Sequence, residues 1–387
     1  MHILFITTTL PHRLTNGGEI ATQNLIHGIE QCGHRVEVLG YTRLGDRPAT
    51  QPNFHSAREW PIETELAKLR KWKWLAEAML TDAPYVCVKF KTAAMRDAAR
   101  ALCREHRFDA VIIDHFQLAW LADEDFLPAR RIGVAHNVEH QILAIQAAEP
   151  SNSRMKRSIF SRDARRMKAI EAGLVRSLAQ VWVLTEEERA SLSEISGRAD
   201  GLHVLPLAGQ GFATAGPLPT PDIDVVILGS WLWEVNRKGL EWFMAEVAPL
   251  LPVDLRVVIG GKGSDTVPNG FPNITYAGFV PDAAEFLRRG KVICIPSVMG
   301  AGIQLKTIEG IGIGRPIVTT RLGLRGIGDI PSHVTPVTDA SDMAERITAM
   351  SKAECVDYSA QAGAWARERT SAFHTMLRNS LADLPAR

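Results

Sequence analysis

The sequence predicts an α/β chain built as two Rossmann-like domains, each a doubly wound parallel sheet, facing a central cleft. Three observations predict it. Short apolar runs alternate with longer amphipathic segments, as parallel strands do when helices join them. The alternation restarts near mid-chain, after a stretch rich in Pro, Gly and small residues, Gly211 to Asp222. The 387 residues also exceed what a single hydrophobic core usually organises.

In the first half the strand-like runs are His2–Thr7, Val36–Leu39, Ala110–Ile113, Ile132–Ala135 and Val181–Leu184. Helical segments between them include Glu19–Gln31, Ala93–Glu105 and Arg162–Leu178. In the second half the runs are Asp224–Leu228, Asp254–Ile259, Ile274–Ala277, Val292–Ile295 and Pro316–Thr319, with helices over Lys238–Leu250, Asp282–Arg289 and Gln304–Gly310. The expected layout is therefore an N-terminal domain over 1–210, a linker over 211–222 and a second domain over 223–359. A final helix over 360–387 is free to pack back on the N-terminal domain, though its periodicity does not choose between the two. In such sheets ligands bind at the carboxyl ends of the strands.

Composition narrows the function classes. Hydrophobic residues make up 46% and charged residues 22%, the balance of a globular protein in water. A net charge of +1 provides no bulk field toward nucleic acid or membrane, so such binding needs a local patch. Five scattered cysteines without a CxxC pair argue against a disulfide framework or a zinc site and fit a reducing cytoplasm. The opening MHILFITTTLPHR reads as a first strand rather than a signal peptide, and no stretch approaches the ~20 apolar residues of a membrane span. The expected location is cytoplasmic, with the inner membrane face as a place for peripheral contact.

The second half carries an ordered series of motifs. A strand ends in Gly229-Ser230 and is followed by Asn236-Arg-Lys-Gly239 and a helix with Trp242-Phe243. Next come Val257-Val-Ile-Gly-Gly-Lys-Gly263 and Tyr276-Ala-Gly-Phe-Val-Pro-Asp282. The last is Ile295-Pro-Ser-Val-Met-Gly-Ala-Gly-Ile-Gln-Leu-Lys-Thr-Ile-Glu309, followed by Gly314-Arg-Pro-Ile-Val318. In the first half, Gly17-Gly18, His136-Asn-Val-Glu139 and Val183-Leu-Thr-Glu-Glu-Glu188 fall at matching places. In this order the motifs resemble family four of the retaining GT-B glycosyltransferases, the group 1 type, nearly end to end. The resemblance implies transfer of a sugar from a nucleotide-diphosphate sugar to an acceptor hydroxyl, with retention and without a metal or a resident cofactor. The nucleotide sugar is then a co-substrate, and the acceptor is a glycan, a lipid-linked molecule or a small molecule.

The resemblance also distributes roles. Glu309 corresponds to the carboxylate that accepts hydrogen bonds from the donor's ribose, work suited to acceptor-only oxygens. Gly300, Ala301, Gly302 and Ile303 form the rest of that motif, where small residues let backbone N–H groups approach a diphosphate at a helix N-terminus. The common pattern has a first glutamate eight positions before the second, and Ala301 stands there instead. Arg237, Lys238 and Lys306 are candidate cations for the leaving diphosphate. The family arginine after the first strand of this half is displaced or absent, since Ser230 and Trp231 follow Gly229. Ser230 and Val280 are further donor candidates, as are Gly17 and Gly18, whose spacing is not a full GxGxxG. His115 and His136 each follow a strand, and His115 is the nearer match to a histidine that contacts the donor sugar. Arg13, Asn137 and Glu139 are acceptor candidates. Along the sequence, His, Cys, Asp and Glu do not cluster at metal-ligand spacing.

Two basic stretches stand apart. Leu66 to Leu75 interleaves Lys68, Arg70, Lys71 and Lys73 with Trp72 and Trp74, and Arg154 to Lys168 holds seven basic residues against Asp163. One reading is contact with anionic lipid headgroups; the plainer one is a solvated helix face with the tryptophans in the core. Nucleic acid is not expected, because no recognised module accompanies the charge. Alternatives to transfer are a GT-B epimerase or phosphorylase, and a nucleotide-sugar-binding protein without catalysis.

Overall fold

The computed structural model describes residues 1–13, 17–209 and 217–384. Half of the expected linker, 211–216, lies outside the described residues. The chain divides into two compact units: Met1–Leu207 together with the segment that begins at Phe373, and Ala208–Ala372.

The first unit holds seven strands: β1 (His2–Ile6), β2 (Arg35–Arg43), β3 (Phe54–Trp60), β4 (Ala110–Asp114), β5 (Arg131–Ala135), β6 (Gln180–Val183) and β7 (Leu202–Val204). All pair in parallel, in the order β3-β2-β1-β4-β5-β6-β7. Its helices are α1 (Gly17–Gln31), α2 (Arg70–Thr81), α3 (Tyr85–Phe90), α4 (Ala93–Glu105), α5 (Glu139–Ala148), α6 (Arg154–Ser177) and α7 (Glu186–Ser196). The second unit repeats the design. Strands β8 (Ile223–Leu228), β9 (Val257–Gly260), β10 (Ile274–Gly278), β11 (Gly290–Ile295), β12 (Ile317–Thr320) and β13 (Val334–Val337) run in parallel in the order β10-β9-β8-β11-β12-β13. Helices α8 (Glu234–Trp242), α9 (Ala283–Arg289), α10 (Leu305–Ile313) and α11 (Ala340–Lys352) cover them, and α12 (Ser359–Ala382) ends the chain.

Both sheets are thus doubly wound, as the alternating pattern predicts. Central strands are apolar on both faces: Ile3, Leu4, Phe5 and Ile6 of β1 are fully buried, as are Val225, Val226 and Ile227 of β8. That continuous burial is what helices on two sides impose. Strand order reverses between β1 and β4, and again between β8 and β11. The loops after these strands diverge there and leave room for a ligand.

Three strands escape the sequence pattern. β3 is an edge strand whose residues are mostly half-buried or exposed, β7 has three residues, and β13 holds Pro336 at the other sheet's edge. Edge strands bury one face at most, so their apolar runs are broken. The helix expected over Lys238–Leu250 ends at Trp242 and continues as a π turn over Phe243–Val247 and a 3₁₀ turn over Ala248–Leu250. Pro249 lies in that last turn and has no N–H to continue an α-helix.

The end of α12 completes the first unit's core. Phe373 and Leu377 lie so close to Gly28 of α1 that a β-carbon there would stand 2.5 Å from the Phe373 ring. Ser380 accepts from the indole N–H of Trp182 through its Oγ at 2.5 Å and from the Gln180 amide through its carbonyl at 2.8 Å.

Candidate active site

In the second unit the switch point is built by close backbone approach. Gly239 of α8 sits against the end of β11, where a β-carbon would stand 2.0 Å from the Pro296 carbonyl oxygen. Gly261, at φ +114, lets the turn after β9 pass the Gly229 carbonyl, which a β-carbon would meet at 1.7 Å. Trp231 is buried at 1% exposure and donates its indole N–H to the Gly260 carbonyl at 2.9 Å. The displaced or absent arginine of the sequence reading is therefore replaced by a core side chain that clamps the ends of β8 and β9.

Around this frame several predicted residues converge. Asn236 of α8 donates to the Ser230 carbonyl at 3.1 Å, and its Oδ1 accepts from Lys306 Nζ of α10 at 3.3 Å. Gly300, at φ +132, lies beside Val235, and the amide of Gln304 donates to the Gly302 carbonyl at 3.4 Å. Helix α10 starts at Leu305, one residue later than expected, and its N-cap Gln304 makes no side-chain cap bond. The Thr307 N–H turns back to the Gln304 carbonyl at 2.9 Å, while those of Leu305 and Lys306 have no acceptor among the described residues. Ala301 is buried, so a small side chain fills the place of the family's first glutamate. Val280 packs toward Gly260 from the turn after β10. Lys238 and Arg237 face Glu241 on the surface of α8, at 3.4 and 3.9 Å.

Two charges on α10 are perturbed by their surroundings. Burial pulls the Lys306 ammonium down to about 8 and pushes the Glu309 carboxyl up to about 7. Glu309 keeps partial exposure, yet its Oε1 is shielded and has no hydrogen-bond partner among the described residues. Sharing a helix face with Lys306 does not neutralise it, because the ammonium is turned to Asn236. A shielded acceptor without a donor costs about 1–3 kcal/mol, more when charged.

The first unit gathers a second group at the ends of β1, β4 and β5. Asp114 is fully buried; its Oδ2 accepts from Thr7 at 2.8 Å and Thr22 of α1 at 2.7 Å, and its Oδ1 meets His136 Nε2 at 2.5 Å. His115 stacks on His136 with ring centroids 4.0 Å apart and planes at 19°. Burial opposes charge on Asp114, but the adjoining imidazoles and hydrogen bonds hold it below the usual carboxylate range. Burial likewise opposes charge on His136, yet Asp114, with Glu188 and Glu139 behind it, raises its pKa. His115 goes the other way, down to about 4, through burial first and the charge of His136 second. The two rings are thus shifted in opposite directions, His136 toward its charged form and His115 toward its neutral one. His115 also holds φ +73, a left-handed backbone that a β-carbon disfavours.

Glu139 opens α5 nearby, and burial, then the charge of Glu171, push its carboxyl up to about 7. Asn137 is half-buried in the same turn, while Arg13 pairs with Asp46. Gly17 and Gly18 open α1, whose Thr22 reaches Asp114.

Two expectations need correction. The sequence shows no cluster at metal-ligand spacing, but the fold brings Asp114, His115 and His136 together, with ligand atoms all within 4.8 Å. Both Asp114 oxygens are taken by hydrogen bonds, and the lone pairs of stacked rings lie in parallel planes rather than on a common centre. The trio reads as a hydrogen-bonded cluster. The tryptophans of the first basic stretch also part ways: Trp74 is core, Trp72 is exposed. Asn236, Asp114, Thr7 and Thr22 join the candidate site through the fold; the signals for them in the sequence are the Asn236-Arg-Lys-Gly239 motif and Asp114 directly before His115 at a strand end.

Two doubly wound parallel sheets, each with polar groups at its switch point, are the architecture of the GT-B fold class. Family models bear this out: "Glycosyl transferase 4-like domain" matches residues 16–208 and "Glycosyl transferases group 1" matches residues 222–352. The chain belongs to this glycosyltransferase family. Among solved structures, sucrose-phosphate synthase from Thermosynechococcus elongatus is similar at TM-score 0.65 and 16% identity, over 99% of this chain and 97% of its own. HepE from Anabaena, in complex with UDP and glucose, is similar at TM-score 0.63 and 15% identity, over 99% and 100%. WaaG, a glycosyltransferase involved in lipopolysaccharide biosynthesis, is similar at TM-score 0.56 and 14% identity, over 98% of each chain. At these identities the likeness is one of fold. No curated protein matches the sequence significantly.

Proposed function

We propose that this glycosyltransferase takes its sugar from a nucleotide-diphosphate sugar held by the second unit, and passes it to an acceptor hydroxyl with retention of configuration. The carrying observation is the shielded, donorless Oε1 of Glu309 on α10, next to the strand-end turn of Gly300, Ala301, Gly302 and Ile303. A carboxylate left without donors in the free protein is ready for the paired hydroxyls of a ribose. The uncapped N-terminus of α10 and the Lys306–Asn236 pair then suit the diphosphate. Lys306 is the better-placed cation; Arg237 and Lys238 serve only if they leave Glu241. Ser230 and Val280 line the same strand ends and would border the nucleoside.

In this reading the acceptor hydroxyl attacks from the face the diphosphate leaves, and a departing phosphate oxygen takes its proton. Lys306 and the α10 amides stabilise the negative charge that grows on that oxygen. His115, kept neutral by its surroundings, donates a hydrogen bond to the sugar while Asp114 and His136 fix its position. Gly17 and Gly18 bring backbone amides near that cluster, and Asn137, Glu139 and Arg13 meet the acceptor. The cationic and amide groups provide the charge stabilisation that a divalent metal supplies elsewhere. The acceptor is a glycan, a lipid-linked molecule or a small molecule, used at the cytoplasmic side with peripheral contact to anionic membrane.

Trp231 and Ala301 favour a second reading, nucleotide-sugar binding without transfer, since each stands where the family places a charged group. Incubation with common nucleotide sugars separates the two. Slow release of nucleoside diphosphate with a retained anomeric centre supports transfer. Tight binding with neither release nor transfer, even with acceptor extracts present, supports the inert binder.

A further inference from the structure

The geometry points to α2 as an interfacial helix that lays an apolar stripe into the surface of an anionic lipid bilayer. Leu69, Trp72, Ala76, Met79 and Leu80 recur at intervals of three and four residues, one face of a helix. That face is bare: Leu69 is 82% exposed, Trp72 56% and Leu80 87%. The core side of the same helix carries Trp74 and Ala78, both buried. Lys73 borders the stripe and the Lys71 ammonium lies 5.7 Å from the centre of the Trp72 ring, with Lys68 and Arg70 on either side of Leu69 and Glu77 as the single acid of α2. Apolar residues bordered by lysines on a helix surface are the signature of a segment lying in the headgroup region.

Helix α6 extends the basic surface. Arg162 donates to the Ala78 and Ala83 carbonyls at 2.6 and 3.1 Å, and Arg166 holds Asp82 at 2.7 Å, so the end of α2 is fastened to α6. Asp163, the acid of this stretch, is buried and bonded to Arg162. The exposed side is left to Arg154, Lys156, Arg157, Arg165 and Lys168. Beside it, an open depression floored by Ala144, Ala147 and Ala148 is rimmed by Arg154, Arg157 and Arg165. Charge complementarity selects an anionic partner, and the bare apolar stripe selects a lipid surface over a free anion. Among the described residues no helix is long and apolar enough to cross a membrane, so the attachment is to one face. The inference deepens the transferase reading, where a lipid-linked acceptor is one of three choices.

The test is flotation of the full chain with vesicles of phosphatidylcholine alone or with phosphatidylglycerol. The expected result is binding to the anionic vesicles only, weakened by salt. It drops at least tenfold in the triple variant Leu69→Ser, Trp72→Ser, Leu80→Ser, and roughly fivefold for each of Lys71→Ala and Lys73→Ala. The melting temperature and nucleoside-diphosphate binding of these variants stay unchanged. No binding to anionic vesicles at low salt, or equal binding by the triple variant, overturns the inference. So does a concentration-dependent dimer that the triple variant dissolves while vesicles capture nothing, which assigns the stripe to a second copy. Vesicle binding lost with nucleotide binding intact removes this inference alone; the reverse removes only the donor-site reading.

Discussion

At the scale of single residues, the chain places charges where burial makes them costly. Glu309 is the clearest case. Its ordinary pKa of 4.5 is pushed up to about 7 by burial, so the folded protein holds a proton that the unfolded chain has released. Stability therefore falls as pH rises from 4.5 toward 7 and stays lower above. Glu309→Gln is expected to match the wild type near pH 4 and to exceed it at pH 8, by at most about 3 kcal/mol, read from denaturant titrations at both values. Equal stability at pH 8 counts against a buried, unpartnered carboxylate. Asp114 and His136 behave oppositely. Asp114 is depressed, so its contribution is present above its unfolded value and is lost as acid approaches its low folded value. His136 is raised, so its share is full below about 6.5 and fades as pH climbs through the raised folded value. Asp114→Asn strips one partner from a buried pair, costs about 3–5 kcal/mol, and lowers the His136 pKa, which an NMR titration reads directly. Motif position singles out Glu309 in the sequence, and strand ends single out His115 and His136. Asp114, Thr7 and Thr22 are not legible there as a cluster, because their bonds join residues 92 and 107 positions apart.

At the scale of elements, the strands that carry the site are those the sequence shows best. β1, β4, β8 and β11 each hold at least three consecutive apolar residues buried on both faces. The edges β3 and β13 and the polar outer helices lacked that constraint, so periodicity passed over them. The turn geometry was invisible for another reason: Gly239 matters through the Pro296 carbonyl, which follows a different strand. Gly239→Ala drives a β-carbon into that backbone oxygen, which has no flexible end to yield. It is expected to cost about 3 kcal/mol or more and to weaken nucleotide binding by displacing the turn that leads to α10. Unchanged stability and affinity by calorimetry contradict that account of the α8–β11 approach. Trp231→Ala should cost about 3–5 kcal/mol, because it empties a fully buried site and leaves the Gly260 carbonyl without its indole donor.

At the scale of the whole molecule, two sheets that share one order over six strands, the first with a seventh added, arise because the chain restarts one alternating pattern after its Pro- and Gly-rich middle. That repetition made the fold class legible. The destination of α12 was not, since its periodicity fits either partner. Its last turns close the first unit's core through Phe373, Leu377 and Ser380. A chain ending at Ala372 should therefore melt at a lower temperature through loss of the first unit, while nucleotide binding by the second persists below that transition. The central claim remains the donor site on α10. Titration calorimetry of a nucleoside diphosphate into wild type and Glu309→Ala tests it most directly. Loss of a charge-assisted hydrogen bond predicts about 10- to 100-fold weaker binding with the melting temperature not lowered. Equal affinity in the two proteins contradicts the site.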